Sequence, residues 1–152
     1  MSLSSAVVSL QRITRENLDN ILDLQVTDAQ KNFIASNAES IAQAHFYPEV
    51  AWFRAIYADN IPVGFVMLED NRTKSYYSLW RLMIDAQFQQ QGIGRKVIEL
   101  VLKEVKTRPG AKILFTSCVS GEGNPIKFYE KMGFTRTGKT DEDREVILQY
   151  KL

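Results

Sequence analysis

Cysteine and histidine are nearly absent: the 152-residue chain has one of each, Cys118 and His45. A lone cysteine closes no internal disulfide, which excludes a disulfide-stapled scaffold and fits a reducing cytoplasm. Cys118 sits in an apolar run, so packing is expected of it rather than reactivity. A lone histidine is more often structural than catalytic, and no metal site is expected. An excess of charge of either sign is also missing, because 19 basic residues against 18 acidic ones leave a net charge of +1. Nucleic acid and anionic membrane surfaces therefore have no electrostatic support as partners. No apolar run is long enough to span a bilayer, and a basic-then-apolar signal pattern is lacking at the N-terminus. Linkers, repeats and low-complexity tracts are absent too, so residues 1–152 are read as one domain. A chain of this size buries roughly two thirds of its unfolded surface.

What is present is concentrated in the stretch Gln89-Gln90-Gln91-Gly92-Ile93-Gly94-Arg95-Lys96. It follows the strand-like run Leu79 to Ile84 and opens an amphipathic helix with Val97, Ile98, Val101, Leu102 and Val105 on one face. The first N–H groups of a helix have no intrahelical partner and lie at the positive end of its dipole, which makes this turn an anion site. Gly92 and Gly94 let a bulky ligand approach the main chain. Arg95 and Lys96 are expected to add positive charge at the mouth. The turn lacks the Gly-Lys-Ser/Thr ending of a Walker loop, and Val97 stands where a dinucleotide loop has its third glycine.

A second motif lies roughly thirty residues further on, beyond another strand: Asn124-Pro125-Ile126-Lys127-Phe128-Tyr129-Glu130-Lys131-Met132-Gly133-Phe134. Asn124 suits a helix cap, Pro125 its first position and Gly133 the residue past its end. Gln89-x-x-Gly92-x-Gly94 fits the pyrophosphate loop Arg/Gln-x-x-Gly-x-Gly/Ala of the GNAT acyltransferases. The second motif resembles that family's Asn-x-x-Ala-x-x-Phe-Tyr-x-x-x-Gly-Phe, departing from it at Lys127. The resemblance covers roughly residues 50 to 150 well and the first fifty loosely.

Periodicity adds the elements between these motifs. Strands are predicted over Val7 to Ile13, Trp52 to Ala58, Ile61 to Glu69, Tyr76 to Ile84, Ile113 to Val119, Phe134 to Thr137 and Glu145 to Tyr150. Helices are predicted after Thr14, from Asn37 through Ala44, from Gly94 to Thr107 and from Pro125 to Met132. The fold class is α/β. The resemblance implies a mixed six- to seven-stranded sheet with a splayed central parallel pair and about four flanking helices.

The resemblance also implies acetyl-CoA as co-substrate. Its phosphates would lie on Gln89 to Lys96, and its pantetheine arm on the strand end Leu82-Met83-Ile84 and on Asn124. Acetyl transfer to an amine needs a neutral amine, a stabilised oxyanion and a proton for the leaving thiolate. Tyr129 matches the family tyrosine near the sulfur. An unperturbed tyrosine, with a pKa of about 10, is protonated at neutral pH and can donate. Candidates for the base are Glu69, Asp85, Glu122 and His45, with Glu69 nearest the expected acceptor entrance. Acceptor walls are expected over Val26 to Trp52, where Asp28, Glu39 and Glu49 accompany Phe33, Phe46, Tyr47 and Trp52. Carboxylates among aromatics suit a flexible cationic amine. The strings Phe33-Ile34-Ala35, Val63 to Met67 and Thr116 to Pro125 resemble bacterial diamine and spermidine/spermine acetyltransferases. A small polyamine-like primary amine is thus the expected substrate. A peptide, protein or antibiotic acceptor and a non-catalytic acyl-CoA-binding module stay open. A homodimer is expected from the family alone, since no stripe in the sequence identifies an interface.

Overall fold

A computed structural model describes residues 2–152. Seven strands form one sheet in the order β1-β2-β3-β4-β5-β7-β6. They are β1 (Val8–Gln11), β2 (Ala51–Ala58), β3 (Ile61–Asn71), β4 (Tyr76–Ile84), β5 (Ile113–Cys118), β6 (Thr135–Thr140) and β7 (Val146–Lys151). Every neighbouring pair is antiparallel except β4 and β5, which run parallel. A parallel pair needs a crossover, and α3 (Ile93–Val105) provides it. Three further helices are α1 (Leu18–Leu22), α2 (Asn37–Phe46) and α4 (Ile126–Lys131).

The sheet separates two cores. On one face Ile93, Val97, Ile98, Val101, Leu102 and Val105 of α3 pack on Val66, Leu68, Tyr77, Leu79 and Leu114. On the other, Ile21 of α1 and Ala44 of α2 pack on Phe65, Met67 and Met83. Period-two alternation along β3 serves both: Val66 and Leu68 face α3, while Phe65 and Met67 face α1 and α2. Asn37 does not cap α2. Ser36 does, its Oγ accepting from the Glu39 N–H at 3.1 Å. Asn37 is buried, and its Nδ2 donates to the Ile21 carbonyl at 2.9 Å, tying α2 to α1. The other predicted elements stand with ends shifted by a few residues, as fraying ends do.

One buried polar contact ties the end of α3 to β3. Arg108, just past α3, reaches Asp70 near the end of β3 with Nε 3.1 Å from Oδ2, and both side chains are over nine-tenths buried. Glu104 and Arg72 complete the cluster at 3.2 and 3.3 Å. Removing one partner of a buried pair leaves the other charge uncompensated, a loss of about 3–5 kcal/mol. Asp70→Ala is expected to lower unfolding free energy by that amount in a urea titration. A loss under about 1 kcal/mol would show that Arg108 is solvated rather than paired.

Candidate active site

The central parallel pair is short. Only Tyr77↔Leu114, Ser78↔Phe115 and Leu79↔Thr116 are in register, yet β4 continues to Ile84 and β5 to Cys118. The divergence begins at an irregularity in β4. Opposite β3, Leu68 pairs with Leu79 and Met67 with Arg81, so Trp80 is an extra, bulged residue. A bulge bends its strand and increases the local twist. Beyond it, Leu82, Met83 and Ile84 keep their β3 partners but have no ladder partner on the β5 side.

The bulge also shifts the side-chain alternation. Tyr77, Leu79, Leu82 and Ile84 face the α3 core, whereas Trp80 and Met83 face the other. Arg81 follows Trp80 onto that second face, where its guanidinium donates to Gln43 of α2 at 3.1 Å. Strict alternation would have sent Arg81 into the apolar α3 core. Burial holds its pKa below the usual arginine value, opposed by Glu39 and Glu145. Its Nε has no partner among the described residues.

A cleft of about 1290 Å³ runs through the gap and along both sides of it. At one end lies the turn into α3. Gly92 caps that helix with φ +78°, and a Cβ there would meet nothing within 4 Å. Gly94 faces Phe128, 3.2 Å from where its Cβ would stand. Neither the N–H of Ile93 nor that of Gly94 meets a protein acceptor among the described residues. These donors, at the head of a 13-residue helix, form a cradle for an anion. Gln89, Gln90, Gly92, Ile93, Gly94 and Arg95 all line the cleft. Gln89 also reaches the Ile84 carbonyl at 2.9 Å and Gln30 at 2.7 Å through Nε2.

Gln91 and Lys96 turn elsewhere. Gln91 Oε1 accepts from the Leu3 N–H, and Lys96 Nζ donates to the carbonyls of Ser4 and Ala6 at 2.9 and 3.1 Å. Successive helical residues differ by about 100° around the axis, so Arg95 and Lys96 cannot both face the mouth. Only Arg95 does.

Tyr129 of α4 meets the gap from the α3 side and is 7% exposed. Burial raises its pKa above the usual tyrosine value, the nearby Cys118 adds to this, and a hydrogen bond with Thr116 opposes it. Thr116 itself donates to the Leu79 carbonyl at 3.2 Å, fixing the last rung before the strands part. Asn124 caps α4 by accepting from the Ile126 N–H at 2.9 Å, while its Nδ2 donates to the Gly121 carbonyl. Lys127, the departure from the motif, is exposed.

The opposite half of the cleft is acidic. Glu39, Glu69, Asp141, Asp143 and Glu145 line it together with Tyr47, Tyr76 and Trp80, against the single cation Arg81. Burial raises the pKa of Glu69, with Lys74 opposing. Burial also raises that of Glu145, and Asp141 and Asp143 add to the rise.

The other base candidates stand apart from this half. Asp85 accepts from the Gln87 and Gln25 N–H groups, both at 2.9 Å, as a structural cap. His45 is exposed against Phe46, and Glu122 is exposed on its loop; neither lines the cleft. Of the expected acceptor walls, Glu39, Phe33 and Tyr47 line it, but Asp28, Glu49, Phe46 and Trp52 do not. Asp28 pairs with Lys31 at 2.9 Å on the surface. Trp52 packs on the α3 core with the Arg54 guanidinium 4.4 Å over its ring. Asp141, Asp143 and Glu145 are cleft residues the sequence did not reveal, since a run of acids between two strands reads as a solvated turn.

With the geometry in view, residues 18–134 match the model of the Acetyltransferase (GNAT) family. The chain is 26% identical to a spermine/spermidine N(1)-acetyltransferase of Bacillus subtilis, over 95% of this chain and 99% of that one. It is 25% identical to a peptidyl-lysine N-acetyltransferase of Salmonella typhimurium, over 90% of each. Its fold matches spermidine N-acetyltransferase from Vibrio cholerae, solved with CoA and spermine, at a TM-score of 0.73 and 16% identity, over 95% of each chain.

Cys118 lines the same cleft but is 3% exposed, and burial with help from Glu145 pushes its thiol up to about 12. The thiolate is the reactive form. A thiol-exchange reagent at pH 8 is therefore expected to leave the folded chain unmodified and to titrate one thiol after denaturation. Rapid modification of the native chain would refute this.

Proposed function

The chain belongs to the GNAT acetyltransferase family, and from that premise we propose that it acetylates a small, multiply charged primary amine of polyamine type. Acetyl-CoA is the acetyl donor. The observation that carries the substrate reading is the acidic half of the cleft, with five carboxylates and three aromatic rings against one guanidinium. Ammonium groups spaced along a flexible chain would pair with those carboxylates and lie over the rings. The relatives acting on spermidine and spermine support the same reading.

The cleft residues fit the donor. The N–H groups of Ile93 and Gly94 face the turn where the pyrophosphate would sit, Gly92 leaves it room, and Arg95 supplies charge. The unpaired edge of Leu82, Met83 and Ile84 offers backbone groups to an amide-bearing arm. When bound, the donor supplies a thioester carbon for nucleophilic attack.

Glu69 and Tyr129 then divide the proton chemistry between the faces of the sheet. Glu69 lines the acidic part of the cleft, where the amine would enter. A carboxylate whose pKa is raised by burial is a better base than one in water. It takes the proton that the amine loses as the N–C bond forms and the C–S bond breaks. Tyr129 lies on the α3 side, and with its pKa raised it stays protonated and gives its hydroxyl proton to the departing sulfur. Acceptor and leaving group thus work from opposite sides of the gap.

Thiol release from acetyl-CoA across spermidine, spermine, putrescine, lysine peptides and aminoglycosides tests the substrate. Fast turnover confined to the polyamines is expected, and turnover confined to peptides would replace this reading with a protein acceptor. Tyr129→Phe is expected to lower kcat by about 100-fold, with CoA affinity by calorimetry unchanged. Wild-type turnover in that variant removes the assigned role. For Glu69, the basic form is lost as pH falls through a pKa above the ordinary value of about 4.3. The logarithm of kcat/KM should therefore steepen from slope one, due to the amine, to slope two below that pKa. Glu69→Gln is expected to abolish the steeper limb, and its persistence would assign the base elsewhere.

A further inference from the structure

Residues 27–36, the later part of the segment between α1 and α2, run along the mouth of the cleft. Gln30, Asn32, Phe33, Ile34 and Ala35 all line it. Both ends of this stretch are fastened. At the cradle end, Gln30 Oε1 accepts from Gln89 Nε2 at 2.7 Å, and the same Gln89 nitrogen holds the Ile84 carbonyl on the free edge of β4. At the other end the Phe33 ring rests on the loop between β5 and α4. A Cβ built on Gly121 or on Gly123 would lie 3.8 Å from that ring.

Gln30 and Phe33 belong to one hydrogen-bonded turn. The Phe33 N–H donates to the Gln30 carbonyl at 2.9 Å, and the Gln30 N–H to the Thr27 carbonyl at 2.9 Å. Ser36 then caps α2 directly behind it. Half-buried Phe33 is thus placed by backbone geometry rather than by the hydrophobic cores, in neither of which it takes part.

We propose that residues 27–36 form a strap that holds the donor's arm in the β4–β5 gap and keeps water from the thioester, with Gln30 and Phe33 as its positioning residues. The inference rests on the acyl-transfer reading above. Its chemistry is a competition between two nucleophiles. An amine that attacks forms an N–C bond and yields amide and free thiol; a water molecule that attacks forms an O–C bond and yields acetate and the same thiol. Both break the C–S bond. A closed roof over the gap removes bulk water while the acidic side stays open to the amine.

The full-length chain gives two independent readouts. In stopped-flow displacement of bound CoA, followed by fluorescence of the cleft residue Trp80, Phe33→Ala is expected to speed dissociation about tenfold. Gln30→Ala is expected to speed it about threefold, as loss of one hydrogen bond does. In steady state, thiol release without any amine, relative to release with saturating amine, is expected to rise about tenfold in Phe33→Ala. Phe33→Leu should restore both values to within about threefold by refilling most of the space. A folded Phe33→Ala protein with unchanged dissociation, or with an unchanged ratio, would overturn the strap. If Phe33→Ala does not fold, Gln30→Ala and Phe33→Leu decide by the same readouts. Should the wild type acetylate no amine, the acyl-transfer reading fails, while the dissociation rate of CoA still tests the strap.

Discussion

The bulge at Trp80 is the constraint on which the rest of the site depends. Three rungs of parallel pairing hold β4 to β5, and then the extra residue bends β4 away from its neighbour. A regular strand would have gone on pairing to the end of β5 at Cys118, keeping the two strands together where they now part. The same residue turns Arg81 out of an apolar core and onto the acidic face. One inserted position thus creates the gap, frees the backbone edge beside it and sets the charge of the wall on one side.

Tyr129 and Glu69, the two groups proposed to handle protons, owe their character to the way the two cores flank that gap. Tyr129 is a core residue of the α3 side that happens to reach the opening, so its hydroxyl is desolvated and strongly protonated. Glu69 follows the alternation of β3 onto the other face, where partial burial weakens its acidity and Lys74 opposes that shift. Cradle, edge and tyrosine come from elements contiguous in the chain between β4 and α4. The acidic wall of the cleft, by contrast, is gathered from α2, β3, β4 and the turn before β7.

That difference explains what could be read from the sequence. The cradle and the α4 motif are local: their glycines, caps and periodicities lie within a dozen residues, so spacing revealed them. The family's likeness to this fold supplied the splayed pair, which nothing in the apolar run Tyr76 to Ile84 displays. The bulge stayed hidden because a run apolar on both faces carries no alternation to break. Asp141, Asp143 and Glu145 stayed hidden because β7 inserts between β5 and β6, a long-range pairing that swings their turn over the cleft. Lys96 was misplaced for a local reason, helical rotation, compounded by a remote one, the docking of Ser4 and Ala6 beside it.

Cys118 has a consequence for how such a catalyst survives oxidation. Each turnover leaves a free thiol in a cleft that the cysteine itself lines. Thiol–disulfide exchange starts from a thiolate, and with its thiol pushed up to about 12, Cys118 is ionised in fewer than about one molecule in ten thousand at neutral pH. This cysteine of the cleft is thus chemically silent toward such a thiol. Under mild oxidative stress the chain would not accumulate as a mixed disulfide with its own spent donor, and turnover would need no reductant to sustain it.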